Sequence, residues 1–497
     1  LTVLAQIAVT LLLVHLLKEK ASFVYALLQF VGVVVAIRVY QRTGSPSYKL
    51  SWMCLLLILP VSGMILFCLW GGTHQAKQLS LKSVPPIPQR ESVKMLSGMN
   101  QAALTRRSPA WGRLSAYLQK REFWLYRNTN AAYFEEGEAF FRDLVQHLKQ
   151  AETYIFMEYY ILAEGTVWDE IFAALRERAA AGVEIHLIVD DFGTLTRLSD
   201  ETLQTIRDAG IEVEIFNPVH RYISRLYFNY RDHRKITVID GDTAYTGGIN
   251  IGDEYANRVE RFGHWKDTAV MLKGKAVDSF TMMFLQLWDV TERDGEEYRR
   301  FLCPPEFHMP EGLDYGGFVM PYADSPLDGE NVGESVYLDI LGRSRRYVHI
   351  TTPYLILDDT TLAALKFAAK RGVEVIIIMP HIPDKLYAYL LARSYYAELL
   401  RAGVQIYEYT PGFIHAKMFT SDDEKAVVGT INLDFRSLYL HFECASYFFR
   451  NAVVMDVEED FQKTLAKSER ITLENCRKYP FIRRFAGKAL RILAPLM

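Results

Sequence analysis

The sequence predicts an α/β protein of two pseudo-symmetric sandwich domains with mostly parallel sheets, preceded by an N-terminal transmembrane helical region. Three observations lead to this prediction. Long apolar runs are confined to residues 1–70 of the 497-residue chain. Beyond them, short apolar strands alternate with helical patterns, an order typical of sheets covered by helices. That order occurs twice, which indicates an internal duplication.

The N-terminal region, residues 1–72, contains three apolar runs. Leu50 to Trp70 holds about 21 uncharged residues, enough to cross a ~30 Å hydrocarbon layer as one helix. Phe23 to Tyr40 predicts a second span. The first run, Leu1 to Leu17, either crosses the membrane as well or forms a re-entrant segment. A helical hairpin buried in a soluble domain is the alternative interpretation of these runs.

Basic residues flank the apolar runs unevenly. Lys18, Lys20 and seven Lys or Arg residues after the third run share one predicted face, whereas the opposite loop holds Arg38, Arg42 and Lys49. Because positive charge favours the cytoplasmic side, the large domains are expected in the cytoplasm. Residues 73–130 follow as a linker that includes the Pro-rich stretch VPPIPQR.

The two predicted domains share one order of elements. In the first, residues 131–300, Tyr154 to Tyr160 predicts a buried strand, a helical pattern follows, and Gly182 opens the strand VEIHLIV. In the second, residues 301–460, Tyr347 to Tyr354 and the segment VEVIIIM after Gly372 repeat this order. Residues 461–497 remain as a basic amphipathic C-terminal tail.

Polar residues are repeated in step with the strands. The first copy reads HRKITVID and GGIN and the second reads HAKMFTSD and GTIN, with every matched position 182 residues apart. A His and a Lys two positions apart on a strand project from the same face, so both can reach one ligand. One such pair is weak evidence, but two in step indicate a functional site. The matched residues are His233, Lys235, Asp240 and Asn250, and His415, Lys417, Asp422 and Asn432.

These motifs resemble the phospholipase D superfamily, whose H-x-K-x4-D signature occurs twice in a pair of similar domains. The resemblance covers about residues 130–460. Within the superfamily, the segments GGINIGDEY, WKDT, PYADSPLD and NLDFRSLYLHFE are most similar to bacterial cardiolipin synthases. The sequence departs at Ala269, where many relatives have His. The resemblance implies a phospholipase D-like fold and a multi-pass protein of the bacterial inner membrane, with catalytic domains facing the cytoplasm.

The repeated residues suit chemistry at a phosphodiester. Lys235 and Lys417 are candidates to neutralise the phosphoryl oxygens, and Asn250 and Asn432 to donate hydrogen bonds to them. One histidine would attack phosphorus, and the other would protonate the leaving alkoxide and later deprotonate the incoming hydroxyl. The resemblance implies His233 as the nucleophile, although the near-symmetry of the motifs leaves the reverse assignment open.

Further polar residues near the motifs are candidates for supporting roles. Asp267 could orient the imidazole of His233, which lies 34 residues before it in the same copy. Glu443 could orient that of His415, 28 residues before it. Asp240 and Asp422 either take part in catalysis or support the loop and the lysines. Ser437 either contacts phosphate or is structural.

Two segments are expected to meet the lipid. The stretch before His233 combines arginines with aromatic residues, a composition suited to anionic headgroups, or it is a solvated loop. Its candidate interface residues are Arg221, Tyr222, Arg225 and Arg231. Residues 477–491 carry six basic residues and no acid, which predicts an interfacial helix or a packed terminal helix with a basic outer face.

Composition argues against several other functions. The net charge of −3 and the apolar runs argue against a nucleic-acid partner. The five cysteines lie far apart and form no C-x-x-C pair, so neither a disulfide framework nor a zinc site is expected. No nucleotide or dinucleotide motif occurs, so we expect no metal and no cofactor.

The resemblance implies cardiolipin synthesis, in which a phosphatidyl group passes from one phosphatidylglycerol to another and glycerol is released. Phosphatidylglycerol, other anionic phospholipid and the membrane are therefore the expected partners. Phospholipase D-type hydrolysis, or transfer to another lipid or alcohol, is the alternative, because the same residues would serve water or another acceptor. The oligomeric state is open, and a homo-oligomer is compatible with the sequence.

Overall fold

The computed structural model describes residues 21–41, 45–71, 91–127, 129–218, 229–288, 300–302 and 316–496, together with Ala8 and His15. Strands β1 to β19 and helices α1 to α17 are numbered along these residues. The predicted first apolar run, residues 1–17, lies outside them apart from Ala8 and His15.

Three helices form the N-terminal region: α1 (Ala21–Tyr40), α2 (Pro46–Ile58) and α3 (Pro60–Trp70). Within the described residues, α1 alone is long and apolar enough to cross a membrane. The third apolar run is not one helix, because it divides at Leu59 into pieces of 13 and 11 residues. Pro60, which lacks a backbone N–H, begins the second piece. The prediction that Leu50 to Trp70 forms one membrane-crossing helix is therefore wrong, and a multi-pass topology is not supported.

The predicted linker contains folded elements. Residues 91–127 form α4 (Glu91–Arg107), α5 (Pro109–Gln119) and β1 (Tyr126–Arg127). Trp111, Leu114 and Leu118 of α5 are buried in the core of the second half. Because these residues pack into the folded body, the linker prediction is corrected for residues 91–127.

The first sheet has the order β2-β10-β8-β7-β3-β4-β5. From β2 to β3 the neighbouring strands are antiparallel, and β3, β4 and β5 are parallel. Its strands are β2 (Asn130–Phe134), β3 (Tyr154–Tyr159), β4 (Glu184–Asp190), β5 (Glu212–Phe216), β7 (Lys235–Ile239), β8 (Thr243–Gly247) and β10 (Ala269–Lys273). The helices of this half are α6 (Gly137–Gln150), α7 (Thr166–Ala180), α8 (Asp191–Thr194), α9 (Asp200–Asp208) and α10 (Val277–Leu287).

The second sheet repeats this order as β11-β18-β17-β16-β12-β13-β14, with β1 and β19 added at its edges. Its strands are β11 (Phe318–Asp324), β12 (Tyr347–Thr351), β13 (Glu374–Pro380), β14 (Gln405–Tyr409), β16 (Met418–Ser421), β17 (Lys425–Gly429), β18 (His441–Phe449) and β19 (Ser468–Ile471). Helices α11 (Val332–Arg343), α12 (Asp359–Lys370), α13 (Leu386–Ala402), α14 (Phe435–Tyr439) and α15 (Val453–Ala466) belong to this half.

Both sheets are mixed, which corrects the prediction of mostly parallel sheets. In the second sheet β12, β13 and β14 are parallel and the other neighbours are antiparallel. The strand–helix–strand pattern predicts the parallel pairs correctly. Two antiparallel pairs are short hairpins, β7–β8 and β16–β17, and the turn of the first begins with Asp240 and Gly241 at positive φ. Others, such as β3–β7 and β12–β16, join strands far apart in the chain, which local patterns do not predict.

The two halves share a buried core. Phe156 and Ile188 of the first sheet and Ile376 and Met418 of the second belong to one apolar cluster, together with Phe284 of α10. The halves are therefore packed together as one body, and the predicted domain boundary near residue 300 stays a prediction.

The C-terminal segment is only partly a tail. The predicted boundary at residue 461 falls inside α15, and β19 extends the second sheet by pairing with β14. Beyond them lie α16 (Leu473–Lys478) and α17 (Phe481–Leu493). Residues 453–471 thus belong to the second half, which corrects the predicted start of the tail.

Candidate active site

Two short strand pairs join the halves beside the repeated histidines. β6 (Arg231–Asp232) pairs in parallel with the start of β18, so that Arg231 lies opposite His441. β9 (His264–Lys266) pairs in parallel with β15 (Gly412–Ile414). The backbone N–H of His233 then donates to the Phe442 carbonyl at 2.9 Å, and that of His415 donates to the Lys266 carbonyl at 2.7 Å. Each histidine is therefore anchored to backbone of the other half.

The carboxylates that orient the histidines are exchanged between the halves. His233 Nδ1 lies 2.9 Å from Glu443 Oε2, and His415 Nδ1 lies 2.6 Å from Asp267 Oδ2. The prediction that Asp267 and Glu443 orient imidazoles agrees with these contacts, but the predicted pairing within each copy is wrong. An ionised carboxylate at Nδ1 holds a proton there and leaves Nε2 for a substrate.

The two carboxylates differ in their electrostatic surroundings. Burial raises the pKa of Glu443 well above its usual range, although Lys235 and a hydrogen bond from Thr430 oppose this. Burial also acts to raise the pKa of Asp267, but His415, Lys417 and the Thr268 N–H at 2.9 Å outweigh it, and the pKa is lowered. The site is thus symmetric in its residues and asymmetric in charge.

The motif lysines are buried beside the histidines. Lys235 Nζ donates to the His233 carbonyl at 2.6 Å, and Lys417 Nζ donates to the His415 carbonyl. Burial is the main cause that lowers their pKa values, to about 8 for Lys235 and about 7 for Lys417. Two buried cations side by side favour an anionic ligand.

The imidazoles are also shifted. Burial, followed by Lys235, His441 and Lys417, lowers the pKa of His233 well below its usual value. Burial and then Lys417 lower the pKa of His415 to about 4, while Asp267 opposes the shift. Since each motif lysine acts on the histidine of the other copy, the four side chains form one site. Without an anion, both imidazoles are neutral near pH 7.

The predicted amide and hydroxyl donors differ in their contacts. Asn250 is held in place, because its Oδ1 accepts the Ile161 N–H at 3.0 Å and its Nδ2 donates to Tyr255 Oη at 2.8 Å. Buried Asn432 Oδ1 and Ser437 Oγ have no hydrogen-bond partner in the described part of the chain. Ser437 therefore has a hydroxyl to spare for a phosphoryl oxygen, whereas the unpartnered Asn432 Oδ1 can only accept a hydrogen bond.

The motif aspartates lie at the opposite ends of their strands from the histidines. Asp240 accepts the backbone N–H groups of residues 152–154 at 2.7–3.0 Å. Asp422 accepts those of residues 345–347 at 2.8–3.1 Å. Both start a hairpin turn at positive φ. The catalytic interpretation of Asp240 and Asp422 is therefore corrected to a structural one.

Two side chains beside His233 were not among the predicted site residues. The His441 ring lies 5.5 Å from the His233 ring, with Nδ1 3.6 Å from Glu443 Oε1. Neither nitrogen of His441 has a hydrogen-bond partner within the described residues. The Tyr160 ring lies 5.0 Å from the His233 ring, and Lys235 Nζ is 5.5 Å from the Tyr160 centroid. The alternation His441–Phe442–Glu443, which puts His441 on the face of Glu443, was the available sequence signal.

The predicted lipid-interface residues have mixed outcomes. Arg231 is buried, with Nη1 2.9 Å from the Asn217 carbonyl and 3.5 Å from Asp190 Oδ1, so its placement at an exposed interface is wrong. Arg221, Tyr222 and Arg225 lie outside the described residues.

Two groups in the described residues have ligand atoms close enough for a metal ion. One is His233, His441 and Glu443, and the other is Glu136, Glu138 and His264. In the first group the Nδ1 of His233 and Glu443 already contact each other. Orientation of the His233 imidazole by Glu443 explains this contact, so we assign no metal to the first group.

The fold and the paired motifs define a phospholipase D-like protein. Residues 144–288 and 337–465 match the family described as cardiolipin synthase, PLD-like domain. The chain belongs to this family, as the sequence resemblance predicted.

Individual relatives agree with this placement. The chain is 44% identical over 456 residues to an uncharacterized protein of Streptococcus mutans serotype c, covering 90% of this chain and 96% of that one. It is 32% identical over 472 residues to the cardiolipin synthase of Alkalihalophilus pseudofirmus, covering 94% and 92%. The solved phosphatidylserine synthase of Haemophilus influenzae has the same fold, with a TM-score of 0.57 at 14% identity, covering 74% of this chain and 95% of that one.

Proposed function

We propose that this protein is a cardiolipin synthase that transfers a phosphatidyl group from one phosphatidylglycerol to another and releases glycerol. The observation that carries the proposal is the composite site, in which each histidine is bound by the carboxylate of the other half. The identity to cardiolipin synthases over most of the chain supports the choice of substrate.

The phosphate of the first phosphatidylglycerol binds between Lys235 and Lys417. Both ammonium groups are buried, where a charge is poorly solvated, so an anion between them is strongly favoured. Ser437 Oγ and Asn432 Nδ2 donate hydrogen bonds to the phosphoryl oxygens. Binding of the anion raises the pKa values of the lysines and of the imidazoles and makes His415 an acid.

In the first step His233 Nε2 attacks phosphorus, a P–N bond forms, and the P–O bond to glycerol breaks. His415 gives its proton to the departing alkoxide. The electrostatic difference between the halves supports these roles. The pKa values of both imidazoles are lowered, but Asp267 opposes the shift at His415. The pKa of His233 is lowered well below its usual value, which favours a neutral nucleophile. In the reverse assignment His233 would have to act as the acid, without the support that Asp267 gives to a protonated His415.

In the second step His415 takes the proton from a hydroxyl of the second phosphatidylglycerol. The resulting oxygen attacks phosphorus, the P–N bond breaks, and cardiolipin leaves with His233 neutral again. One phosphodiester replaces another, so this scheme needs no cofactor and no energy source.

The acceptor lipid has a phosphate of its own, which needs a second cationic position. Arg231 lies opposite His441 in the strand pair, and Arg436, Arg231 and Lys385 each contribute, after burial, to lowering the pKa of His441. We assign the acceptor phosphate to this side of His233. Water at the same position would give phosphatidic acid, which is the phospholipase D alternative.

The membrane placement is also part of the proposal. Helix α1 is the candidate span, and the basic residues that flank the apolar runs favour catalytic halves on the cytoplasmic side of the bacterial inner membrane.

The test is mass spectrometry of the purified protein incubated with phosphatidylglycerol alone. Cardiolipin with an equimolar amount of glycerol is expected, and His233→Ala and His415→Ala should abolish both products. Phosphatidic acid as the main product would make the protein a hydrolase and contradict the proposal.

A further inference from the structure

A cavity of about 370 Å³ lies between α13 and the two C-terminal helices α16 and α17. Its lining is strongly basic and includes one acid, Glu398. The cations are Arg393, Arg401, Arg477, Arg483, Arg484, Lys488 and Arg491. None of the candidate active-site residues described above lines this cavity. This cavity, the basic cavity, is therefore separate from the catalytic centre.

Most of the positive charge in the basic cavity is not neutralised. Glu398 is bound by Lys366 at 2.7 Å and lies 3.6 Å from Arg491, and Arg393 is paired with Glu408 at 3.0 Å. The other five cations, Arg401, Arg477, Arg483, Arg484 and Lys488, form no ion pair across the cavity with any residue that the structure describes. Clustered like charges repel one another, so an anion in the cavity would stabilise the arrangement.

Large apolar side chains stand beside this charge. Phe481, Ile482 and Phe485 of α17 are 72%, 79% and 65% exposed. The opposite face of α17 is fixed, because Gly487 lies against the Leu390 carbonyl, where a Cβ would collide. The exposed rings are thus presented outward by a helix that is packed on the body. An apolar ridge next to a basic pocket is the pattern of a surface that lies in a membrane interface.

The position of α17 agrees with a membrane interface. Helix α17 packs against α2, and Leu496 just beyond it packs against the cluster formed by Ala36, Val39, Trp52 and Leu56 of α1 and α2. The C-terminal end of α17 is therefore joined to the N-terminal region that contains the candidate span α1. A membrane that α1 enters would offer the phosphates of anionic lipids to this part of the protein.

We propose that the basic cavity binds the phosphate of an anionic phospholipid, while Phe481, Ile482 and Phe485 insert among its acyl chains. This site holds the C-terminal helices on the anionic membrane surface and takes no part in the transfer reaction. The apolar ridge favours a lipid headgroup over free phosphate, since free phosphate would gain nothing from it.

Cys476 lines the cavity and provides a readout that needs no turnover. The full chain carrying His233→Ala, which prevents substrate consumption, is placed in phosphatidylcholine nanodiscs with or without phosphatidylglycerol. Alkylation of Cys476 by N-ethylmaleimide is followed by peptide mass spectrometry at mildly alkaline pH, because burial raises the pKa of this thiol. At a lipid concentration tenfold above Kd, occupancy is expected to slow alkylation by about tenfold.

Variants that remove positive charge test whether the slower alkylation of Cys476 arises from lipid bound in the basic cavity. Arg401→Gln with Lys488→Gln should abolish the effect of phosphatidylglycerol, measured as the ratio of rates with and without it. The matched control removes two exposed cations of α6 in the first half, Arg142→Gln with Lys149→Gln, and should retain the full effect. Equal alkylation rates in the two nanodiscs, or equal protection by inorganic phosphate in phosphatidylcholine alone, would overturn the proposal.

Discussion

Replacement of Asp267 by Asn tests the exchanged pairing directly. The carboxylate is fully buried and lies 2.6 Å from His415 Nδ1, so it faces the imidazolium whenever His415 carries a proton. Two unit charges about 4 Å apart interact by about 4 kcal/mol at an effective dielectric constant of 20. Loss of that energy from the protonated state corresponds to about a thousandfold decrease in rate.

The assay is glycerol release from phosphatidylglycerol, measured by rapid quench. Because Asp267 raises the pKa of His415, Asp267→Asn should also shift the alkaline limb of the pH profile to lower pH. The limb falls where His415 loses its proton, so a lower pKa moves it downward.

Titration of the imidazoles separates the exchanged pairing from pairing within one copy. Asp267→Asn should lower the pKa of His415, whose Nδ1 Asp267 contacts, and leave the pKa of His233 nearly unchanged. The measurement is NMR of histidine-labelled protein, with Glu443→Gln as the matched variant that acts on His233. The reasoning is refuted if Asp267→Asn shifts the pKa of His233 and leaves that of His415 unchanged.

Three further predictions follow from the same geometry. The KM for phosphatidylglycerol should rise as pH increases through about 7 and about 8, because Lys417 and Lys235 lose their protons there in the empty site. A KM that stays constant with pH would contradict the assignment of the lysines to the phosphate. Asp422→Ala removes an acceptor of three backbone N–H groups and should cost about 3 kcal/mol in denaturant unfolding, with unchanged glycerol release per folded molecule. Asp423→Ala is the matched control and should cost less, because Asp423 also has a positive φ but is exposed and accepts side-chain hydrogen bonds from Arg346 and Tyr347. Lys385→Gln should lower the ratio of cardiolipin to phosphatidic acid in the product analysis, and an unchanged ratio would remove Lys385 from the acceptor side.

The sequence predicted the features that depend on local patterns. The repeat of His233 and Lys235 at an offset of 182 residues identified the four central side chains, because strand spacing fixes the face on which each lies. The parallel pairs were also predicted, because a helix connects their strands in the sequence. The break at Pro60 was also readable from the sequence, because proline cannot continue a helix, and it was missed.

Features that depend on the docking of the halves were not predictable from patterns. The partner of each histidine is set by β6 against β18 and β9 against β15, contacts between residues far apart in the chain. A repeat suggests that each copy is complete, which is why Asp267 was paired with His233. The contribution of His441 has the same origin, since it reaches His233 only through the strand pair that joins the halves.

The proposed roles of the two histidines rest on a difference between the two copies of the motif. His, Lys and Asn are the same in both copies, whereas the orienting acid is Asp267 in one and Glu443 in the other. Asp267 accepts a backbone N–H and faces Lys417, so its pKa is lowered and its charge supports a protonated His415. The pKa of Glu443 is raised by burial, so it supports the imidazolium form of His233 less. In the proposed mechanism this difference distinguishes the acid from the nucleophile, and it comes from the carboxylates rather than from the repeated motifs.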